Sequence, residues 1–337
     1  MDNFKENAIF ICGHRKSGTT LLLSLFDNHP EVSVYPADSG FFFKYFPMSE
    51  INEYSAAEKI DLIMNTVIKN LEEELEKIPE QTKKEINFNI MKFKNEFRKL
   101  AEKSNATPKD MLISLAVSFK TNFINSTMRK YWIEKTSSTE IYANEVFQWF
   151  PKAKFVHIIR DPRDNWASLK SGWDQRYKNF SDSKERLIQS LIERGKLGME
   201  FAKYNEKIFG KEKYKVLKFE DLTNEPEKTT KDLCNFLQIK FDETILKPTI
   251  LGQPWKGNSF DGSEFTSISN VNASRWKERI DENEAKLIEY YFAEIMQYFG
   301  YELEYDLKER MEAAANHYKW FNFAERYSYS NTLKHII

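Results

Sequence analysis

Residues 13–20, Gly-His-Arg-Lys-Ser-Gly-Thr-Thr, bring together groups that hold anions. They follow the apolar run Ala8-Ile-Phe-Ile-Cys12 and lead into Leu21-Leu-Leu-Ser-Leu-Phe26. A glycine turn between a strand and a helix aims backbone N–H groups at one spot, and the helix start adds positive potential. Ser17, Thr19 and Thr20 add hydroxyl donors, and Lys16 adds a full charge. A nucleoside-triphosphate loop places its lysine directly after the second glycine. Here Thr19 occupies that place and the lysine stands at Lys16, two residues before Gly18. No apolar strand ends convincingly in an aspartate that could hold Mg²⁺, so the loop suits an anionic group bound without a metal.

A second constellation follows the run Lys154-Phe-Val-His-Ile-Ile159. Arg160 leaves that run where parallel strands present ligand sites, and its planar fork suits a phosphate monoester better than a lysine would. Pro162 is placed to start a helix, with Ser168 in its second turn. An ion pair of Arg160 with Asp161 or Asp164 is the competing reading. Lys135 closes another apolar run, Tyr131-Trp-Ile-Glu-Lys, and would reach the same edge; its alternative is a strand-end lysine in solvent.

Short apolar runs alternate with helical patterns. Strands are expected at 8–13, 130–135, 154–159 and 214–221, and helices from Thr19, over 183–208 and over 226–238. This predicts an α/β fold with a parallel sheet flanked by helices. Residues 46–129 read as a charged, helix-rich insertion whose charge runs are solvated faces, and 310–337 as an aromatic C-terminal tail. No repeat or linker divides the 337 residues, so one domain is expected. Fifty basic residues against 51 acidic ones leave a formal charge of −1 and give no argument for nucleic acid. Cys12 and Cys234, the two cysteines, read as buried thiols. No leader-like segment or long apolar span is present, so a cytoplasmic protein without a membrane span is expected.

The chain resembles the sulfotransferases that use 3′-phosphoadenosine 5′-phosphosulfate (PAPS), above all Golgi-type and bacterial members. Their 5′-phosphosulfate loop is matched by Lys16-Ser-Gly-Thr-Thr20, and their 3′-phosphate motif by residues 150–168, with Arg160 and Ser168 eight residues apart. Residues 28–32, 214–237, 252–260 and 272–280 are similar to further family segments, so the likeness covers about half the chain. It implies a P-loop-like sulfotransferase fold and transfer of a sulfuryl group from PAPS to a hydroxyl or amine, leaving the bisphosphate PAP, with no metal required. It implies that Arg15, Lys16, Ser17, Gly18, Thr19 and Thr20 hold the 5′ group. Arg160 and Ser168 would take the 3′-phosphate, and Arg275, Trp276 and Lys277 would close over the nucleotide.

Such a transfer asks for positioning, a base and positive charge on the leaving oxygen. Lys16 is assigned to that oxygen and Lys135 to the sulfuryl group, although the proline that often follows this lysine in the family is missing from Glu134-Lys-Thr-Ser. No histidine falls between residues 30 and 156, where members acting on small phenols and steroids carry their base. The resemblance to carbohydrate- and tyrosine-modifying members implies a carboxylate instead: alignment on the loop brings their glutamate to about Ala37, one residue before Asp38, the candidate base, with Glu134 in reserve. The acceptor is expected to be a small molecule, glycan or peptide of carbohydrate, lipid or tyrosine type. A P-loop kinase or NTPase and a non-catalytic nucleotide-binding protein are the other readings. The oligomeric state is not legible.

Overall fold

The computed structural model describes residues 3–317, apart from 77, 79, 87, 123–127, 180–182, 258–259, 261–263, 265–266 and 272. Most of the aromatic tail therefore lies outside the described residues.

Five parallel strands form the sheet: β1 (Ala8–Cys12), β2 (Val32–Val34), β3 (Tyr131–Lys135), β4 (Lys154–Ile159) and β5 (Tyr214–Lys218). Their order is β2-β3-β1-β4-β5. All five residues of β1 are buried, as expected of a strand covered on both faces. Its register pairs Ile11 with Lys135 of β3 and Cys12 with His157 of β4. The α/β class expected from the alternation is thus the class observed. Two details differ. The three-residue β2 was not among the four expected strands. The strand expected to run to 221 stops at Lys218, because Phe219–Asn224 turns into a helix.

Strand alternation sorts side chains to two faces. Ile9 and Ile11 join Leu22, Leu25 and Phe26 of the Thr19–Phe26 helix and Leu233 of the Pro226–Leu237 helix. Phe10 and Cys12 join Trp132, Phe150 and Phe155, and on this face the helices Ala56–Ile63, Ile90–Glu102 and Pro108–Lys120 supply Ile60, Phe97 and Phe119. Of the aromatic run 40–46, Phe41, Phe42 and Tyr45 are wholly buried and serve packing.

Within the described residues the chain forms two compact units. The first takes residues up to 159, 201–258 and 263–270, and holds the whole sheet. The second takes 160–200, 259–262 and 271 onward, with helices Pro162–Ser171, Glu282–Tyr298 and Leu307–His317. Among the described residues no helix is long and apolar enough to cross a membrane.

Candidate active site

The loop after β1 is shaped by backbone. Gly13 has φ 138°, and a Cβ there would stand 2.2 Å from the carbonyl oxygen of Ile158. Gly18 has φ 100°, and a Cβ there would meet the Phe219 ring at 2.5 Å. Neither position admits a side chain. Lys16, at φ 67°, holds a left-handed conformation that costs a non-glycine residue about 1–3 kcal/mol. Ser17 N–H donates to His14 C=O at 3.1 Å, closing the turn. Gly18 then caps the Thr19–Phe26 helix and has no side chain with which to accept from its first-turn N–H groups. Two left-handed residues before an uncapped helix start form a concave set of donors that fits a phosphate-like group. The early end of β5 matters here: it lets Phe219 leave the sheet and lay its ring against Gly18.

Below the loop lies a buried polar network. Tyr214 Oη and His157 Nδ1 are 2.7 Å apart, Cys12 Sγ lies 3.8 Å from the same hydroxyl, and Asn205 Nδ2 donates to it at 3.3 Å. Glu140 completes the group: burial pushes its carboxyl up to about 7, opposed by its own N–H, the Cys12 thiol and Gly13 N–H. Burial also raises the Cys12 thiol and lowers His157 to about 3, which keeps both neutral. The donor atoms of Cys12, Glu140 and His157 lie within 4.8 Å of one another. The sequence reading gave none of the three a role. Cys12 is indeed a buried thiol, as is Cys234.

At the end of β3 two carboxylates sit in contrasting surroundings. Lys135 Nζ donates to Asp38 Oδ2 at 2.9 Å, joined by Ser137 Oγ at 3.1 Å, while Gly40 N–H donates to Asp38 Oδ1 at 3.1 Å. Partial burial works against the Asp38 carboxylate, but the Lys135 ammonium and these donors outweigh it and hold its pKa below the ordinary value. Asp38 keeps 38% of its side chain exposed, Lys135 only 6%. The alternative of a strand-end lysine in solvent is thereby replaced by a buried lysine paired with a partly exposed Asp38. Glu134 is buried; Ser39 Oγ and Thr136 Oγ1 donate to its Oε1 at 2.5 and 2.6 Å. Desolvation wins over those two donors and, with the Asp38 charge nearby, raises Glu134 to about 7. Glu134, Ser39 and Trp132 line a cavity of about 20 Å³ with Leu112, Leu115 and Phe119 from the helical segment.

In the second unit, Pro162 opens the Pro162–Ser171 helix at its first turn, as the sequence suggested. Arg160 is buried, and its Nη1 donates to Ser168 Oγ at 3.0 Å. Those eight residues of separation therefore do close into one contact. Asp161 turns to Arg163: Nη2 donates to Asp161 Oδ2 at 2.7 Å, and Arg163 Nη1 donates to Glu289 Oε1 at 2.6 Å. Asp164 accepts from the backbone of Ser274 and Trp276. Trp276 is buried, and Lys277 Nζ pairs with Glu304 at 2.5 Å. The Asp-Pro-Arg-Asp run at 161–164 offered a signal for Arg163, which was missed, and Asp164, weighed only as a partner of Arg160, binds the backbone of a distant turn instead. Nothing near Glu289 in sequence announces its part.

Comparison with known proteins bears on the fold and the family. The sulfotransferase domain of an olefin synthase from Synechococcus PCC 7002 is 18% identical, covers 90% of this chain and 98% of its own, and superposes with a TM-score of 0.52. The sulfotransferase domain from the curacin biosynthetic pathway is 16% identical, with coverage of 88% and 98% and a TM-score of 0.53. At such identities the likeness establishes the fold. No curated protein matches by sequence. The profile of the sulfotransferase family matches residues 8–243, from β1 through the 13–20 loop and Arg160 to beyond β5. The chain belongs to the sulfotransferase family.

Proposed function

We propose that the protein transfers the sulfuryl group of PAPS to a hydroxyl, or an amine, of an acceptor of carbohydrate, lipid or tyrosine type. The observation that carries this is the loop itself: glycines that admit no Cβ, a left-handed Lys16 and a helix start without a side-chain cap. PAPS would bring the activated sulfur. Arg15 to Thr20 hold its 5′ group, and Lys16 neutralises the phosphate oxygen that departs as the sulfur–oxygen bridge breaks. Arg160 and Ser168 hold the 3′-phosphate, with Arg275, Trp276 and Lys277 beside it. Asp38, the more exposed carboxylate, takes the proton of the acceptor group as its oxygen bonds to sulfur. Lys135, already bound to Asp38, orients that base and supplies charge to the sulfuryl oxygens. The helices of 46–129 form an insertion in one sulfotransferase domain and border the acceptor side.

One observation favours a second base. Glu134, raised to about 7, is better matched to proton transfer near neutrality than Asp38. A pH–rate profile separates the two. With Asp38 as base the rate is flat above about pH 5, since its pKa lies below the ordinary value. With Glu134 the rate climbs through about pH 7. Donor use is tested by calorimetric titration of adenosine 3′,5′-bisphosphate in EDTA and in Mg²⁺, against ATP·Mg²⁺, followed by transfer assays over sugars, lipids, phenols and tyrosine peptides. Binding that collapses in EDTA, or a preference for ATP·Mg²⁺, would contradict the reading.

A further inference from the structure

Asp164 has no part in the transfer, yet both of its oxygens are committed. It is 1% exposed. Its Oδ2 accepts from Ser274 N–H at 2.6 Å and its Oδ1 from Trp276 N–H at 2.8 Å. One carboxylate thus takes two amides of a single turn that lies more than a hundred residues away in the chain. Ser274 sits at φ 60°, a left-handed conformation that persists only where its surroundings over-determine it. Beneath the turn, the Trp276 ring packs 4.4 Å from the Arg163 guanidinium carbon, which Asp161 and Glu289 hold in turn. Residues 274–276 are therefore fastened to the Pro162–Ser171 helix at three points, and the residue presented between the two bound amides is Arg275.

The charge of Asp164 makes this placement informative. It lies one helical turn before Ser168 and near enough to Arg160 for their charges to interact. Beside an anion site a carboxylate repels the ligand and partly cancels the arginine. Its presence there needs an offsetting gain, and the two short amide bonds supply one. We propose that Asp164 is a positioning residue: it fastens the 274–276 turn to the Pro162–Ser171 helix so that Arg275 joins Arg160 and Ser168 around the nucleotide's 3′-phosphate. This rests on the donor reading above.

The two effects of Asp164 have opposite signs, which makes the test decisive. Affinities for adenosine 3′,5′-bisphosphate and for AMP are measured by calorimetry in the wild type, Asp164→Asn, Arg275→Ala, their double variant and Arg160→Ala. Asparagine keeps one acceptor oxygen and removes the charge. If positioning dominates, Asp164→Asn weakens the bisphosphate about tenfold, the worth of one charge-assisted hydrogen bond, and spares AMP. The double variant then binds no worse than the weaker single one, since both act through Arg275. Tighter bisphosphate binding in Asp164→Asn, or additive losses in the double variant, would overturn the proposal. Asp164→Glu keeps the charge and displaces the oxygens, so it should weaken the bisphosphate as well, and it serves if the asparagine variant does not fold. Amide exchange at 274 and 276 in the ligand-free protein reports the fastening directly: faster exchange in either variant is expected, and unchanged exchange overturns it. Equal losses of bisphosphate and AMP in Arg160→Ala would instead sink the 3′-phosphate reading, while the exchange result would still judge the fastening.

Discussion

The loop at 13–20 and the cluster around Arg160, the two regions proposed to hold the nucleotide's anionic groups, are built in opposite ways. The loop relies on backbone: two glycines with no room for a Cβ, a left-handed lysine and a helix start without a side-chain cap. Its parts are neighbours in sequence, and its supports, Ile158 and Phe219, are apolar or main-chain. The Arg160 cluster relies on buried charge: Arg163 binds both Asp161 and Glu289, and Asp164 binds a distant turn. The difference teaches where each region is fragile. A backbone cradle fails when a side chain is added, whereas a charge network fails when one is taken away.

The largest expected effect tests the charge network. Arg163→Met leaves Asp161 and Glu289 buried without their cation, and breaking a buried pair on one side costs about 3–5 kcal/mol. Urea unfolding should show that loss, and a change under 1 kcal/mol would mean that the network is not what holds this unit. Next comes the backbone side. Gly13→Ala forces a Cβ against the Ile158 carbonyl at an unfavourable φ, at about 2–4 kcal/mol from combined strain and overpacking. Thermal unfolding measures it, and the polar atoms of the site would be untouched.

Arg160→Ala sharpens the comparison on the ligand side. It should weaken adenosine 3′,5′-bisphosphate by about tenfold to a hundredfold and leave AMP almost unchanged. Equal losses for both would move Arg160 to a supporting role. The smallest effect, per unit of pH, is a proton linkage. Glu134 has a folded pKa raised to about 7 from 4.5, so the folded state holds a proton that the unfolded chain releases. Its contribution is fully present below about pH 4.5 and is lost as pH rises toward 7, with a slope on the order of 1 kcal/mol per pH unit. Glu134→Gln should flatten that part of the stability curve, read from urea unfolding at pH 5, 6 and 7. An unchanged slope would mean the buried carboxyl is not proton-linked to folding.

By itself the sequence determined what depends on neighbours along the chain. Buried parallel strands read as apolar runs because both faces are covered, which located β1, β3, β4 and most of β5. The loop was legible because its glycines, lysine and hydroxyls sit between a strand and a helix start. Arg160 and Ser168 could be paired because their eight-residue spacing matches the 3′-phosphate motif of the family that the chain resembles. What only the tertiary structure decided is what different segments do to one another. Val32–Val34 is too short to show a pattern, and becomes a strand because β3 offers it a partner. Phe219 ends β5 where its ring meets Gly18. Asp38 and Glu134 are both ordinary carboxylates in sequence; the Lys135 ammonium lowers one and burial raises the other to about 7. Glu289 reaches Arg163 across 126 residues. Charge and solvation act through space, so their outcome is set only once the chain has folded.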